Sequence, residues 1–213
     1  MTAQISDTVI YQGRKFSLAG INGDDLFDPE QIGLEVMMIS TACWAGFYCT
    51  YTIKDDCLLL TKLTVGLTGD DREAAERGDG PIHFGVHPRR DRLSSSQYDP
   101  QTKEWAPHTY WSDWYYDLAY PIEFSGELTI GTDFIQELYV HMGFHPAYKY
   151  REVHELVFEA GRLQSAQDCS ERMARIREMD DDDPLAPLPL PDHSDKEGIR
   201  KWIAETFNRR KKH

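Results

Sequence analysis

Apolar and polar positions follow a short period over most of this chain, and they gather in two blocks. The first, Val36–Val65, reads VMMISTACWAGFYCTYTIKDDCLLLTKLTV; the second, Pro121–Ala166, alternates β-type runs with glycine. From Val36 to Ile53 the apolar residues are too dense for clean alternation, which predicts a central strand covered on both faces. Lys54-Asp55-Asp56 then turns the chain, and Cys57–Val65 returns as a second strand of a hairpin. Thr8–Leu18 predicts a smaller hairpin around Gln12-Gly13. Asn22–Gly33, with its Gly, Asp and Pro content, reads as a loop.

In the second block, Phe124–Ile130, Glu137–Met142 and Tyr148–Phe158 read as strands, and Glu159-Ala160-Gly161 turns the last of them into Arg162–Ala166. Thr68–Gly80 is charged and bounded by glycine, a loop or one short helix. Pro81–Pro107, rich in Pro, Ser, Arg, Asp and His, reads as irregular. Ser170–Met179 predicts a short helix capped by Asp168 or Ser170. Asp180–Asp183 and the PLAPLPLP run suit neither helix nor sheet and read as a linker. Gly198–Arg209 places Ile199, Trp202, Ile203 and Phe207 on one helical stripe.

The expected fold class is therefore α+β, mainly β: an antiparallel sheet or partly open barrel with a long insertion and one or two C-terminal helices. The expected organisation is a β-rich domain over 1–179 with an irregular insertion at 68–120. A linker at 180–194 and an amphipathic helix at 195–213 follow.

Composition narrows function mainly by exclusion. Among 213 residues, 36 are acidic and 23 basic, giving a formal net charge of −13. Such a chain repels phosphate backbones, so nucleic-acid binding through a general basic face is not expected. The same charge suits a partner with a basic surface. No apolar run approaches the ~20 residues of a membrane span. The opening MTAQISDTVIYQG lacks the pattern of a secretion signal, so the expected location is the cytoplasm and no membrane association is expected. Cys43, Cys49, Cys57 and Cys169 form no CxxC pair and read as free thiols.

No GxSxG, P-loop, GxGxxG or HExxH signature occurs. A nucleophile built from Cys43 or Cys49 with His141 and an aspartate is opposed by the apolar strands around both thiols. His141, His145 and His154, with Glu152 or Glu155, could in principle hold a metal, although Gly143 and Pro146 argue against a helical HMGFH ligand pair. Scattered half-buried histidines are the plainer reading, and no cofactor is expected. Arg89, Arg90 and Arg92, beside His83 and His87, suit carboxylate or phosphate recognition, or pairing with the chain's own acids.

The densest local feature is aromatic. Trp105, Tyr110, Trp111, Trp114, Tyr115, Tyr116 and Tyr120 crowd one stretch, with Asp113 and Asp117 among them. It reads either as a second small core or as a partner-binding patch, because Trp and Tyr anchor interfaces.

Two segments carry a family resemblance: Ile39–Leu63, and Phe124–Ile130 followed by Tyr139–Phe144 and Glu155–Leu163; Tyr11–Leu18 adds to it. They resemble a family of uncharacterised bacterial cytoplasmic β-rich proteins, similar to small proteins encoded beside polymorphic toxin genes. The resemblance implies a compact β-rich unit and a role in immunity to a toxin; it supplies no site residues.

Two function classes follow. One is a non-catalytic inhibitor that occludes a basic toxin domain through Trp105, Tyr110, Trp111, Asp113, Trp114, Tyr115, Tyr116 and Asp117. The other is an enzyme or a small-ligand or metal-binding protein with a pocket near His141, His145 and the Arg89–Arg92 loop. A third possibility is an oligomer in which the C-terminal helix swaps between chains. The sequence leaves the oligomeric state open.

Overall fold

The structure is a computed structural model that describes residues 2–101 and 103–179. The expected linker at 180–194 and helix at 195–213 lie outside the described residues. The protein is α+β and mainly β.

The described residues divide into two compact units. The first takes those within 1–27, 49–61 and 119–213, the second those within 28–48 and 62–118. Strands β1 (Thr8–Tyr11) and β2 (Arg14–Gly23) open the first unit. β3 (Phe47–Lys54) and β4 (Cys57–Val65) form the expected hairpin. The short helix α1 (Gly69–Arg77) and strands β5 (Arg92–Asp99), β6 (Glu104–Trp111) and β7 (Trp114–Pro121) follow. β8 (Gly126–Phe134), β9 (Tyr150–Glu159), β10 (Arg162–Asp168) and helix α2 (Ser170–Met179) complete the described chain.

In the first unit the strand order is β10-β9-β8-β2-β1-β3-β4. The row returns on itself where Arg162 of β10 pairs with Cys57 of β4, giving a ring that is not a full barrel. Leu58 N–H donates to the Gly161 carbonyl (2.8 Å) and Leu163 N–H to the Asp56 carbonyl (2.8 Å) at that closure. One pair, β1 with β3, is parallel. The buried Asp7 carboxylate accepts the Cys49 N–H at 2.9 Å beside it and pins that register.

Three of the connections are two-residue turns with positive φ at both central residues, the pattern of type I′ hairpins. They are Gln12-Gly13 (51° and 75°), Asp55-Asp56 (51° and 60°) and Ala160-Gly161 (47° and 75°). Glycine at the second position of two of them supplies the left-handed backbone without a Cβ penalty.

Strand alternation sends Val9, Phe16, Leu128, Ile130, Leu156 and Phe158 to one face, all of them buried. The opposite face near β8 and β9 is covered by α2, whose Met173 and Ile176, with Cys169 just before the helix, pack on Ala147, Tyr150 and Val153. The helix starts as the sequence predicts: the Asp168 carboxylate accepts from Ser170 N–H (2.8 Å) and hydroxyl (2.5 Å). Its last turn is tied down by Arg177, which donates to the Tyr148 (2.8 Å) and Tyr150 (3.0 Å) carbonyls.

Three expectations are corrected. Residues 36–46 are not a strand; only isolated bridges occur, at Val36↔Leu67 and Ser40↔Cys43, before β3 begins at Phe47. The Met37 carbonyl lies so close to Gly46 and Gly66 that neither position has room for a Cβ, and Met37 N–H donates to Gly66 O at 2.8 Å. This loop is held by backbone crowding at two glycines. Glu137–Met142 is not a strand either, because turns at Ile135–Leu138 and Gln136–Tyr139 use up the backbone bonds. Finally, the stretch expected to be irregular contains the whole β5–β6 hairpin. Among the described residues, no helix is long and apolar enough to cross a membrane.

Candidate functional site

The site begins with the register of β5 and β6, which pair from Arg92↔Trp111 to Asp99↔Glu104. Alternation sorts this ribbon into two faces. One carries Leu93, Tyr110, His108, Asp99 and Glu104; the other carries Arg92, Trp111, Tyr98 and Trp105. Tyr98 and Trp105, directly opposite, meet edge to face at 5.6 Å, and His108 stacks on Tyr110 at 5.9 Å. The turn is closed by the Asp99 carboxylate, which accepts Gln101 N–H at 2.8 Å, and by Lys103 N–H donating to Asp99 O at 2.8 Å.

No residue of the ribbon is buried, and every residue of β6 is exposed. Trp105 is 71% exposed, Trp111 54%, Tyr98 46% and Tyr110 44%. Hydrophobic surface concentrated on one slender element marks an interaction site, whereas scattered apolar residues need no explanation.

The base of the ribbon is fixed by a cation–aromatic stack. The Arg90 guanidinium lies 4.9 Å from the Trp111 ring and 4.7 Å from the Trp114 ring, with Glu76 at 3.6 Å. Asp91 and Ser112 exchange hydrogen bonds, Asp91 N–H to Ser112 Oγ and Ser112 N–H to Asp91 O, both 2.9 Å. Arg89 pairs with Asp117 and lies 5.1 Å from the Tyr115 ring, and Lys62 Nζ stands 3.5 Å from the same ring. The Tyr115 hydroxyl donates to Asp91 at 2.5 Å. Burial, with that carboxylate and despite Arg89, pushes the phenol up to about 12, so it remains a donor at neutral pH. Tyr116 donates to the Pro81 carbonyl at 3.2 Å and is raised further, mainly by burial.

The structure thus separates the sequence's aromatic stretch into two populations. Trp105, Tyr110 and Trp111 are on the exposed ribbon; Tyr115 and Tyr116 are interior; Trp114 is half-buried against Arg90. Asp117 is paired with Arg89, while Asp113 is exposed beside Tyr48, whose phenol is raised first by burial and further by that carboxylate. The arginine loop and the aromatic stretch, separate in the sequence reading, form one network. Tyr98, Leu93 and His108 were missed; the Asp99-Pro100 turn signal between two short runs was the available clue.

His141, His145 and His154 fall in the first unit. His141 Nδ1 is 2.9 Å from the Tyr139 hydroxyl, and His145 sits between the Phe134 and Tyr139 rings at 4.7 and 5.3 Å. The Nδ1 atom of His145 is buried with no hydrogen-bond partner among the described residues. Burial, then Lys149, lowers its pKa, consistent with a neutral ring. His154 lies apart, 3.0 Å from Glu152, which Arg14 grips with both amino groups at 2.7 Å. Among the described residues, no group of three or more His, Cys, Asp or Glu side chains is arranged to hold a metal. Cys43 and Cys49 are buried.

A cleft of about 280 Å³ opens in the first unit, lined by residues of β1, β2, β8 and Tyr150. Its walls include none of the three histidines and no residue of the arginine loop. Comparison with protein-family models, curated proteins and solved structures found no match to this chain.

Proposed function

We propose that this is a non-catalytic binding protein of the cytoplasm that inserts its β5–β6 ribbon into a cleft of a basic protein partner. The observation that supports this reading is a two-stranded ribbon with Tyr98, Trp105, Tyr110 and Trp111 all exposed. A lone hairpin is marginal in water, and each large aromatic covers 150–250 Å² when buried, so association would stabilise both ribbon and complex. The fixed base at Arg90 limits the ordering cost of docking. The tip sets Asp99 and Glu104 on the face opposite Tyr98 and Trp105, and the whole chain carries −13, so a basic cleft is the complementary surface.

The narrower form of the proposal is immunity: the partner is a toxin enzyme, and the ribbon excludes its substrate. The resemblance carried by Ile39–Leu63 and the segments after Phe124 supports that form. The test is co-expression with the product of the neighbouring gene, followed by affinity measurement. Trp105→Ala with Tyr98→Ala should weaken a complex at least ~30-fold, the scale of a hot-spot loss. Asp113→Lys is a cleaner charge reversal than Asp117→Lys, which also strips Arg89 of its carboxylate. Undiminished binding by the Tyr98/Trp105 double variant would remove the ribbon from the interface and end this reading.

A further inference from the structure

The cleft on β2 and β8 is built from residues that the ribbon does not involve. Its floor includes Phe134 and Tyr150, the latter 5% exposed, and Phe16, whose ring turns to the opposite face of the sheet, borders it. Hydroxyl residues Thr8, Ser17 and Thr132 line it, and Lys15 and Asp133 bring one charge of each sign. Neither Lys15 nor Asp133 takes part in an ion pair among the described residues.

Two backbone features hold this shape. Gly131 pairs with Ser17 across the β2–β8 ladder, and a Cβ there would come 2.6 Å from the Tyr150 ring. Glycine at 131 therefore lets Tyr150 pack directly against the β8 backbone. Asp133 adopts φ +55°, the left-handed region that non-glycine residues seldom occupy. Strained positions of this kind persist where the surroundings over-determine them, and they gather at ligand sites.

We propose that this cleft binds a small zwitterion the size of one free amino acid, with its carboxylate at Lys15, its ammonium at Asp133 and its side chain over Tyr150. The volume sits just under the ~300–1,000 Å³ of ordinary ligand pockets, which suits a ligand of that size. Among the described residues Lys15 makes no ion-pair contact, and Asp133 feels the charge of Arg14, itself gripped by Glu152, without pairing with it; one end of such a ligand satisfies each of the two. A singly charged ligand leaves one of them without an ion-pair contact. The aromatic floor favours an apolar or aromatic side chain.

The test uses the intact, ¹⁵N-labelled chain, titrated with each common free amino acid. The best binder is then compared with its decarboxylated amine and its N-acetylated form. The expected result is a saturable shift of the Gly131, Thr132 and Asp133 amides, with both analogues at least ~10-fold weaker, as the loss of one charge-assisted bond requires. Lys15→Met should erase the preference over the amine, and Asp133→Asn the preference over the N-acetylated form. Both variants keep the fold in reach, since Lys15 is exposed and asparagine tolerates the left-handed backbone. Absence of any saturable shift at ~10 mM, or discrimination that survives both substitutions, overturns the proposal. Neither result bears on the ribbon, whose residues are not part of the cleft.

Discussion

Two antiparallel ladders of similar length, β8–β9 and β5–β6, differ in what they cover. On β8 and β9, Leu128, Ile130, Val153, Leu156 and Phe158 are at most 2% exposed. On β5 and β6 no residue reaches the interior. The backbone hydrogen bonds are of the same kind, and each adds only about 1 kcal/mol net. What separates the ladders is apolar burial, at roughly 25 cal/mol per Å². The first ladder is held by the unit's own core; the second leaves its apolar surface free for something else.

The most severe way to probe this contrast is to truncate one side chain on each ladder. Leu128→Ala should cost ~2–5 kcal/mol in urea unfolding. Trp105→Ala should change stability by no more than ~0.5 kcal/mol, despite removing the larger group. Equal losses would show that the ribbon is part of a core.

A smaller effect is expected at the ribbon's base. Arg90→Ala removes contacts to two indole rings and the approach to Glu76, worth about 1–2 kcal/mol together. Hydrogen exchange should report it locally: β6 amides exchange faster and β8 amides do not. Uniform loss of protection would mean that the two ladders unfold together.

Between the two in reach is a pH effect confined to the first unit. His145 is held neutral, its folded pKa lowered from 6.5 first by burial and then by Lys149. The unfolded chain therefore takes up the proton more readily. The stabilising contribution is complete above the unfolded value of 6.5 and is lost as pH falls below it toward the folded pKa. A melting temperature followed from neutral to acid should fall through that window, and His145→Gln should flatten the fall. An unchanged pH profile in the variant would assign the titration elsewhere.

The smallest expected change is a gain. Ala160 occupies the left-handed region at φ 47° in the turn between β9 and β10. Ala160→Gly should stabilise by up to ~1 kcal/mol, the left-handed penalty less the added entropy of the unfolded chain. A lower melting temperature would show that Ala160 contributes contacts beyond its backbone.

These positions also show what could be read along the chain. The three hairpin turns were legible because a left-handed turn depends on its own two residues and the strands flanking it. Helix α2 was legible for the same reason: Asp168 caps it locally, and Cys169, Met173 and Ile176 repeat at helical spacing. Residues 36–46 were misread because apolar density reports burial, whereas the backbone path there is set by Met37 meeting Gly46 and Gly66. The ribbon was missed for the opposite reason. Its strands bury nothing, so Ser94-Ser95-Ser96 and Pro107 hid the pattern that a half-buried strand displays.

The sequence by itself determined the mainly β character, the turns, the capped helix and the acidic charge. Each of these depends on neighbours within a few residues, or on a simple sum. Only the tertiary structure decided that β1 lies parallel to β3 and that β10 returns to β4. It alone placed Tyr115 and Tyr116 inside while Trp105 and Trp111 stayed in water, and it set Lys15 beside Asp133 in one cleft. Those outcomes join residues far apart in the chain. Their free energy depends on which strands meet, and alternation along a single strand does not specify its partner.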